Sequence, residues 1–219
     1  MVKKMIKITK LPKPDILEKN DKKWTQEYQK ALTGEIKLTD TIKHRYNQEE
    51  IKKALIKETH GKCAYCESKI QHISFSDIEH IIPKSKRPDL YVDWNNLTLA
   101  CEVCNRTNKN NYYNTSDPLI NPISENPDNS ILALGAVIYK RPGNRKGEVT
   151  ISILDLNRTS LLEKRSEKLH SFELLVDKYV TETNPDLKAI LKEQLLKEAS
   201  AESEYSFIIS SYLRILHII

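Results

Sequence analysis

Four cysteines in two pairs constrain this chain more than any other feature. Cys63 and Cys66 form one C-x-x-C, Cys101 and Cys104 form another, and 34 residues lie between the pairs. Two such knuckles supply four thiolates at tetrahedral reach of one Zn²⁺. A redox dithiol would use one C-x-x-C near a βαβ unit and leave the second pair unexplained. Four thiolates leave no coordination position for water, so the expected metal holds structure and does no chemistry. Its apparent binding free energy, on the order of 10–16 kcal/mol, would go into folding. Thiols reserved for a metal predict a reducing, cytoplasmic setting.

The chain has 219 residues, enough to bury a core without disulfides. Its mean hydropathy is −0.56 and its apolar runs are short, so no bilayer-spanning segment is expected. Lysines interrupt the first residues, which therefore do not read as a signal peptide. The net charge is +5, unevenly spread. Residues 1–60 hold 15 Lys/Arg against 9 Asp/Glu, residues 61–114 hold 7 against 6, and residues 115–219 hold 13 against 15. The positive excess lies ahead of the cysteine segment, and bulk charge of this size permits nucleic acid as a partner without demonstrating it. Four thiolates on one divalent ion would bring the metallated chain nearer +3.

Three regions follow from the patterning: a basic helical region (1–60), the cysteine segment (61–114), and a region with a β-hairpin and helices (115–219). Pro12 and Pro14 predict an irregular start over residues 1–20. Helical spacing marks Asp21–Leu32, stopped by Gly34, and Gln48–Thr59, stopped by Gly61. Ile131–Tyr139 and Val149–Leu156 read as strands around a turn at Pro142–Gly147. Helical periodicity returns from Asn157. Asn184-Pro185 is a helix start, and the pattern permits one helix from there nearly to Ile219.

Between the knuckles, residues 78–82 read as a strand ended by Pro83, residues 97–100 as a second strand, and Cys104 onward as a helix start. A Glu79–His80 pair on the first strand would face an Asn on the helix. The order C-x-x-C, Glu-His-x-x-Pro, Asn-Leu, C-x-x-C-Asn resembles the HNH endonucleases of the ββα-metal fold over about residues 61–110. The predicted fold is therefore α+β: a zinc-clamped ββα-metal core flanked by N-terminal helices, a hairpin and C-terminal helices. A wider set of elements, GKCAYCE (61–67), IEHIIPKS (78–85), WNNL (94–97), INP (120–122) and LDLNR (154–158) with Arg165 downstream, resembles the HNH subunit of the Septu anti-phage system, a family also found beside some retrons.

The resemblance implies roles that general chemistry supports. His80 would be the general base that deprotonates the attacking water, a task that suits a neutral imidazole. Asn105 and Glu79 would hold a catalytic Mg²⁺ or Mn²⁺ through hard oxygen ligands. Asn96 would brace the loop that positions His80. Lys84, Arg106 and Lys109 would contact phosphate, beside the positive end of the helix near Cys104. Many relatives carry Lys three residues after the final Asn; here that place is Asn108, with Lys109 next to it, which puts the phosphate role of Lys109 in doubt. The resemblance also implies an ATPase partner of the ABC/SMC type, phage or invader DNA as substrate, and self-association only within the complex.

The plainer readings stand beside these. His44, His60, His72, His170 and His217 read as surface or packing residues, Tyr112 and Tyr113 as packing or loop residues, and the Lys-rich first 60 residues as a solvated face. A competing class is a zinc-dependent nucleic-acid-binding or scaffold subunit with a vestigial nuclease site. Nothing in the residues separates RNA from DNA as substrate.

Overall fold

The computed structural model describes residues 7–70 and 77–219; His72 lies outside them. The chain divides into two compact units, one of residues 8–65 with 69–116, the other of residues 117–219 with 66–68.

In the first unit, residues 7–14 are irregular as expected, but α1 (Asp15–Thr33) starts directly after Pro14, so the irregular start predicted over residues 1–20 is corrected for residues 15–20. Pro14 stands one residue outside the helix, where its missing N–H is not needed, and its carbonyl accepts the amides of Leu17 and Glu18. The helix buries Leu17, Tyr28 and Ala31. After it come α2 (Asp40–His44), capped by the Thr39 side chain, and α3 (Glu49–Thr59), which buries Ile51 and Leu55 and closes at His60 in the left-handed region.

Strands β1 (Asp77–His80) and β2 (Leu97–Ala100) pair antiparallel, with His80 opposite Leu97 and Glu79 opposite Thr98. β1 stops two residues short of the expected Ile82 because the next two amides bond elsewhere: Ile81 N–H to the Asn96 carbonyl and Ile82 N–H to the Asn96 side chain. A seven-residue π-helical segment, Val103–Lys109, completes a strand–strand–helix order.

In the second unit the hairpin is placed differently from the sequence expectation. β3 (Ile131–Leu134) pairs with β4 (Val137–Lys140) across Gly135, whose φ of 60° is open to glycine at no steric cost. The stretch read as the second strand is α4 (Arg145–Leu154). Two local features override its alternating apolar pattern. The Asn144 side chain accepts the Gly147 amide at 2.8 Å, capping the helix. Gly147 also lies so close to β3 that a Cβ there would fall 2.2 Å from the Ser130 carbonyl oxygen.

The single long helix permitted after Asn184 is also corrected. Helix α5 (Thr159–Thr181) precedes α6 (Pro185–Glu198) and α7 (Ser206–Ile215), and the last two are separated by a turn in which Tyr205 has φ 54°. Asn184 does cap α6, accepting the amides of Asp186 and Leu187. The LDLNR element is a junction: Asn157 bonds both backbone groups of Ile138, Arg158 bonds the Asp155 carbonyl, and buried Arg165 bonds the Leu156 carbonyl at 2.7 Å. No helix among the described residues is long and apolar enough to cross a membrane.

Candidate active site and metal centre

The two knuckles converge. The Sγ atoms of Cys63, Cys66, Cys101 and Cys104 all lie within 4.8 Å of one another, and three of the four residues are buried. None is in a disulfide. A tetrahedral Zn²⁺ with sulfur at about 2.3 Å needs sulfurs about 3.8 Å apart, so the cluster fits one such ion with small side-chain adjustment. It is the one group of this kind among the described residues.

The knuckle residue after Cys66 does separate work. Glu67, at φ 63°, accepts the Phe207 amide at 2.9 Å and the Ser206 hydroxyl at 3.0 Å. A carboxylate thereby caps the N-terminus of α7, where the helix dipole favours negative charge. Ser68 Oγ lies 3.0 Å from the Tyr205 hydroxyl and accepts from the Cys66 thiol at 3.4 Å.

His80 ends β1 and is 7% exposed. Its Nε2 lies 2.8 Å from the carbonyl oxygen of Tyr91. A carbonyl only accepts, so Nε2 carries the proton and the lone pair is on Nδ1. Burial holds the imidazole pKa down at about 3, with the nearby Lys84 and Lys109 charges adding to the effect, so the ring is neutral through the physiological range. Tyr91 is itself pinned: it is fully buried, its hydroxyl donates to the Ile42 carbonyl and accepts the Arg45 amide, and its ring stacks on Tyr28 at 4.0 Å.

Asn96 closes the loop between His80 and β2. Its amide oxygen accepts from Ile82 N–H at 2.8 Å, and its NH₂ donates to the carbonyls of Ile82 (2.9 Å) and Leu90 (3.2 Å). Trp94 beside it donates to the Leu11 carbonyl and carries the Lys10 ammonium 3.4 Å above its ring. Lys10 in turn pairs with buried Glu58 and bonds the Leu97 carbonyl. The WNNL element thus ties the start of the described chain to β2.

Adjacent residues of a strand point to opposite faces, and this separates Glu79 from His80. Glu79 is turned inward at 3% exposure, 2.6 Å from Lys109 Nζ and accepting the Tyr65 hydroxyl at 3.0 Å. Burial pushes its carboxyl pKa up, while Lys109 and Tyr65 pull it back. Of the expected Glu79–Asn105 ligand pair, Glu79 is engaged by Lys109 and Tyr65. Asn105 instead has its side-chain nitrogen 3.4 Å from Asp77 Oδ2, and Arg106 forks onto both Asp77 oxygens at 2.6 and 2.7 Å.

Lys109, expected at phosphate, is 2% exposed and spends its donors on Glu79 and on the His80 carbonyl at 3.0 Å. The winding explains how it gets there. The Asn110 amide bonds the Asn105 carbonyl, an i→i+5 turn that brings a residue inward one place later than an α-turn would. Of the three expected phosphate contacts, Arg106 is exposed and Lys84 is partly so. The Lys84 ammonium lies 4.2 Å over the Tyr46 ring and bonds the Lys43 carbonyl; burial, with help from Lys43, lowers its pKa to about 8. His44, His60, His170, His217 and Tyr113 are exposed, and Tyr112 is intermediate.

The HNH endonuclease family model matches residues 63–111. Over 206 residues, 84% of this chain and 77% of the relative, the sequence is 30% identical to the Septu protein PtuB of Bacillus thuringiensis. The chain belongs to the PtuB family. A PtuB from Bacillus mycoides (strain KBAB4) is 32% identical over 159 residues, 59% of this chain and 54% of that protein. A Septu protein PtuA from the same organism is 29% identical over 165 residues, which cover 61% of this chain and 23% of that protein. The fold and the four-cysteine cluster agree with membership in this HNH-bearing PtuB family.

Asp77, Tyr46 and Tyr91 escaped the sequence reading. Asp77 carried a usable signal, since it stands two residues before Glu79 and shares its strand face. Tyr46 and Tyr91 come from segments with no motif around them, and only the fold brings them to His80.

Proposed function

We propose that this protein is a metal-dependent endonuclease that hydrolyses DNA phosphodiester bonds, and that it is the cutting subunit of a Septu-type anti-phage system that works with an ATPase subunit. The single observation that carries the chemistry is the state of His80, a neutral imidazole whose Nε2–H is committed to the Tyr91 carbonyl and whose Nδ1 keeps its lone pair. The neutral form is the one that can accept a proton from water, and the negative charge of a bound phosphate would raise its depressed basicity toward the working range. The PtuB relationship supports the defence role, and the Septu names of the relatives support a PtuA-type partner, whose ATPase character rests on the motif resemblance alone.

The four cysteines hold a structural Zn²⁺ in this reading. A catalytic Mg²⁺ or Mn²⁺ here would draw on the Asp77 carboxylate and the Asn105 amide oxygen once Arg106 gives up Asp77 and the Asn105 amide turns its oxygen inward, with water and phosphate completing the shell. When bound, such a cation stabilises charge on the scissile phosphate and the departing 3′ oxygen. Asn96 fixes the loop that carries the Tyr91 carbonyl, and Tyr91 fixes the tautomer of His80. Lys109 anchors the His80 backbone from behind while neutralising Glu79. Arg106 and Lys84 are the cations placed to meet phosphate.

The test is nicking of supercoiled plasmid by the full chain, alone and with an ATPase partner, in Mg²⁺ or Mn²⁺ and in EDTA. The expected result is metal-dependent nicking by the wild type and nicking lowered about 10²–10⁴-fold in a folded, zinc-loaded His80→Ala. Equal cutting by His80→Ala sinks the mechanism. DNA binding without cutting under every condition would support the scaffold alternative instead.

A further inference from the structure

The N-terminal region meets the His80 ring through Tyr46. Tyr46, in the turn between α2 and α3, sets its ring edge-to-face with His80 at 4.7 Å between centroids and 83° between planes. The same ring meets Tyr91 at 5.9 Å and 90°, and Tyr91 runs nearly parallel to the imidazole at 6.3 Å and 10°. The Lys84 ammonium also lies over the Tyr46 ring, at 4.2 Å from its centroid.

A hydrogen bond at Nε2 alone does not orient an imidazole. The histidine χ2 torsion is broad, and a carbonyl oxygen accepts over a wide range of directions, so the ring can swing while keeping its bond. A second contact on the ring itself is needed to hold the plane and hence the direction of Nδ1. Tyr46 is the aromatic ring in that position, and its own place is over-determined. The Arg45 amide bonds the Tyr91 hydroxyl at 3.0 Å, that hydroxyl donates to the Ile42 carbonyl, the Gln48 side chain bonds the Arg45 carbonyl at 2.9 Å, and Arg45 pairs with Glu27 of α1. The turn is fixed on both sides of Tyr46, so the ring is held there by the fold and not by its own packing alone.

We propose that Tyr46 is a positioning residue of the nuclease site, whose ring holds the His80 imidazole in the plane from which Nδ1 faces the attacking water. The proposal rests on the reading of His80 as general base. It also assigns a role to the region ahead of the first knuckle: that region is the part of the chain that orients the base, in addition to any contact its lysines make.

The experiment compares Tyr46→Ala, Tyr46→Leu and Tyr46→Phe in the full chain, with thermal midpoint and zinc content measured on each. Misplacement of a catalytic group by about 1 Å costs on the order of 10²-fold, so Tyr46→Ala and Tyr46→Leu are expected to lose about that factor in kcat with little change in KM for plasmid. Tyr46→Phe, which keeps the ring, is expected to recover most of the loss. The same Tyr46→Ala change made in a His80→Ala background is expected to cost nothing further, because there is no imidazole left to orient. A Leu variant with wild-type kcat, a loss confined to KM, or an equal loss in both backgrounds would overturn the proposal. If the Ala variant fails to fold, or the double variant cuts too slowly to measure, the Leu and Phe variants decide the matter. Failure of the underlying reading is a separate result, since in that case His80→Ala itself cuts as fast as wild type.

Discussion

Among the described residues there are two antiparallel pairs of four-residue strands, and they differ in what they enclose. β1–β2 is buried along almost its whole length and surrounds ionisable groups: Glu79 against Lys109 and Tyr65, His80 against Tyr91 and Tyr46. β3–β4 has the same ladder but leaves Leu134 54% and Tyr139 48% exposed, and its buried positions, Ile131, Ala133 and Ile138, are apolar. A strand pair alone makes no site. The site arises where the chain takes charged groups out of water and then supplies each with a partner, which makes every member hard to replace.

That contrast predicts all-or-none behaviour around β1–β2 and graded behaviour around β3–β4. The largest effect is expected from the metal cluster. Chelation, or Cys104→Ser, should remove a folding contribution on the order of 10 kcal/mol, and loss of the cooperative unfolding transition in calorimetry would show it. A zinc-free chain that melts like the wild type would break the comparison. Next comes His80→Ala, which should lower the nicking rate by about 10²–10⁴-fold in a chain that is destabilised by the cavity but still folds and holds zinc.

Lys109→Met should destabilise by about 3–5 kcal/mol in denaturant titration, because it leaves the Glu79 carboxyl buried without its cation. Pairing it with Glu79→Gln should recover part of that loss; no recovery would mean that the two are not a pair. On the other sheet, Gly147→Ala must push the Ser130 carbonyl aside and should cost about 1–3 kcal/mol, with kcat of the folded fraction unchanged.

The smallest effect concerns pH. Lys84 has its pKa lowered to about 8, so it is cationic below that value and loses its charge as pH rises through it. DNA binding measured by anisotropy should therefore weaken between pH 7 and 9, and Lys84→Arg, which stays charged, should flatten that change. Identical pH profiles for the two proteins would remove Lys84 from the DNA contacts.

What could be read from the residues depended on the kind of signal. The cysteine pairs, the strand at residues 97–100 and the Asn184 cap were legible because each depends on side-chain chemistry at fixed spacing. Val149–Leu154 was not, since alternating apolar residues in a short run fit a strand or a helix equally well, and the deciding contacts, Asn144 to Gly147 and Gly147 to Ser130, are local packing. The start of α1 after Pro14 is not legible, because a proline just outside a helix and one that blocks a helix look alike in sequence. Within the site, the residue types at positions 79, 80, 96 and 105 were legible but their facing was not. Glu79 is buried, and the π-turn brings Lys109 in against it, so a pair expected at metal and phosphate meets in the interior instead.

Glu67 bears on where this chain can be cut. Helix α7 draws its N-terminal cap from a residue 139 positions earlier, on the first cysteine knuckle. A fragment trimmed to the motif-bearing residues would keep every cysteine and His80, yet it would strand that carboxylate without the two donors it serves, while a fragment holding only the C-terminal helices would begin α7 on bare amides. The motif is therefore a poor unit for transplantation: whoever moves this nuclease into another scaffold has to carry the last helix with it.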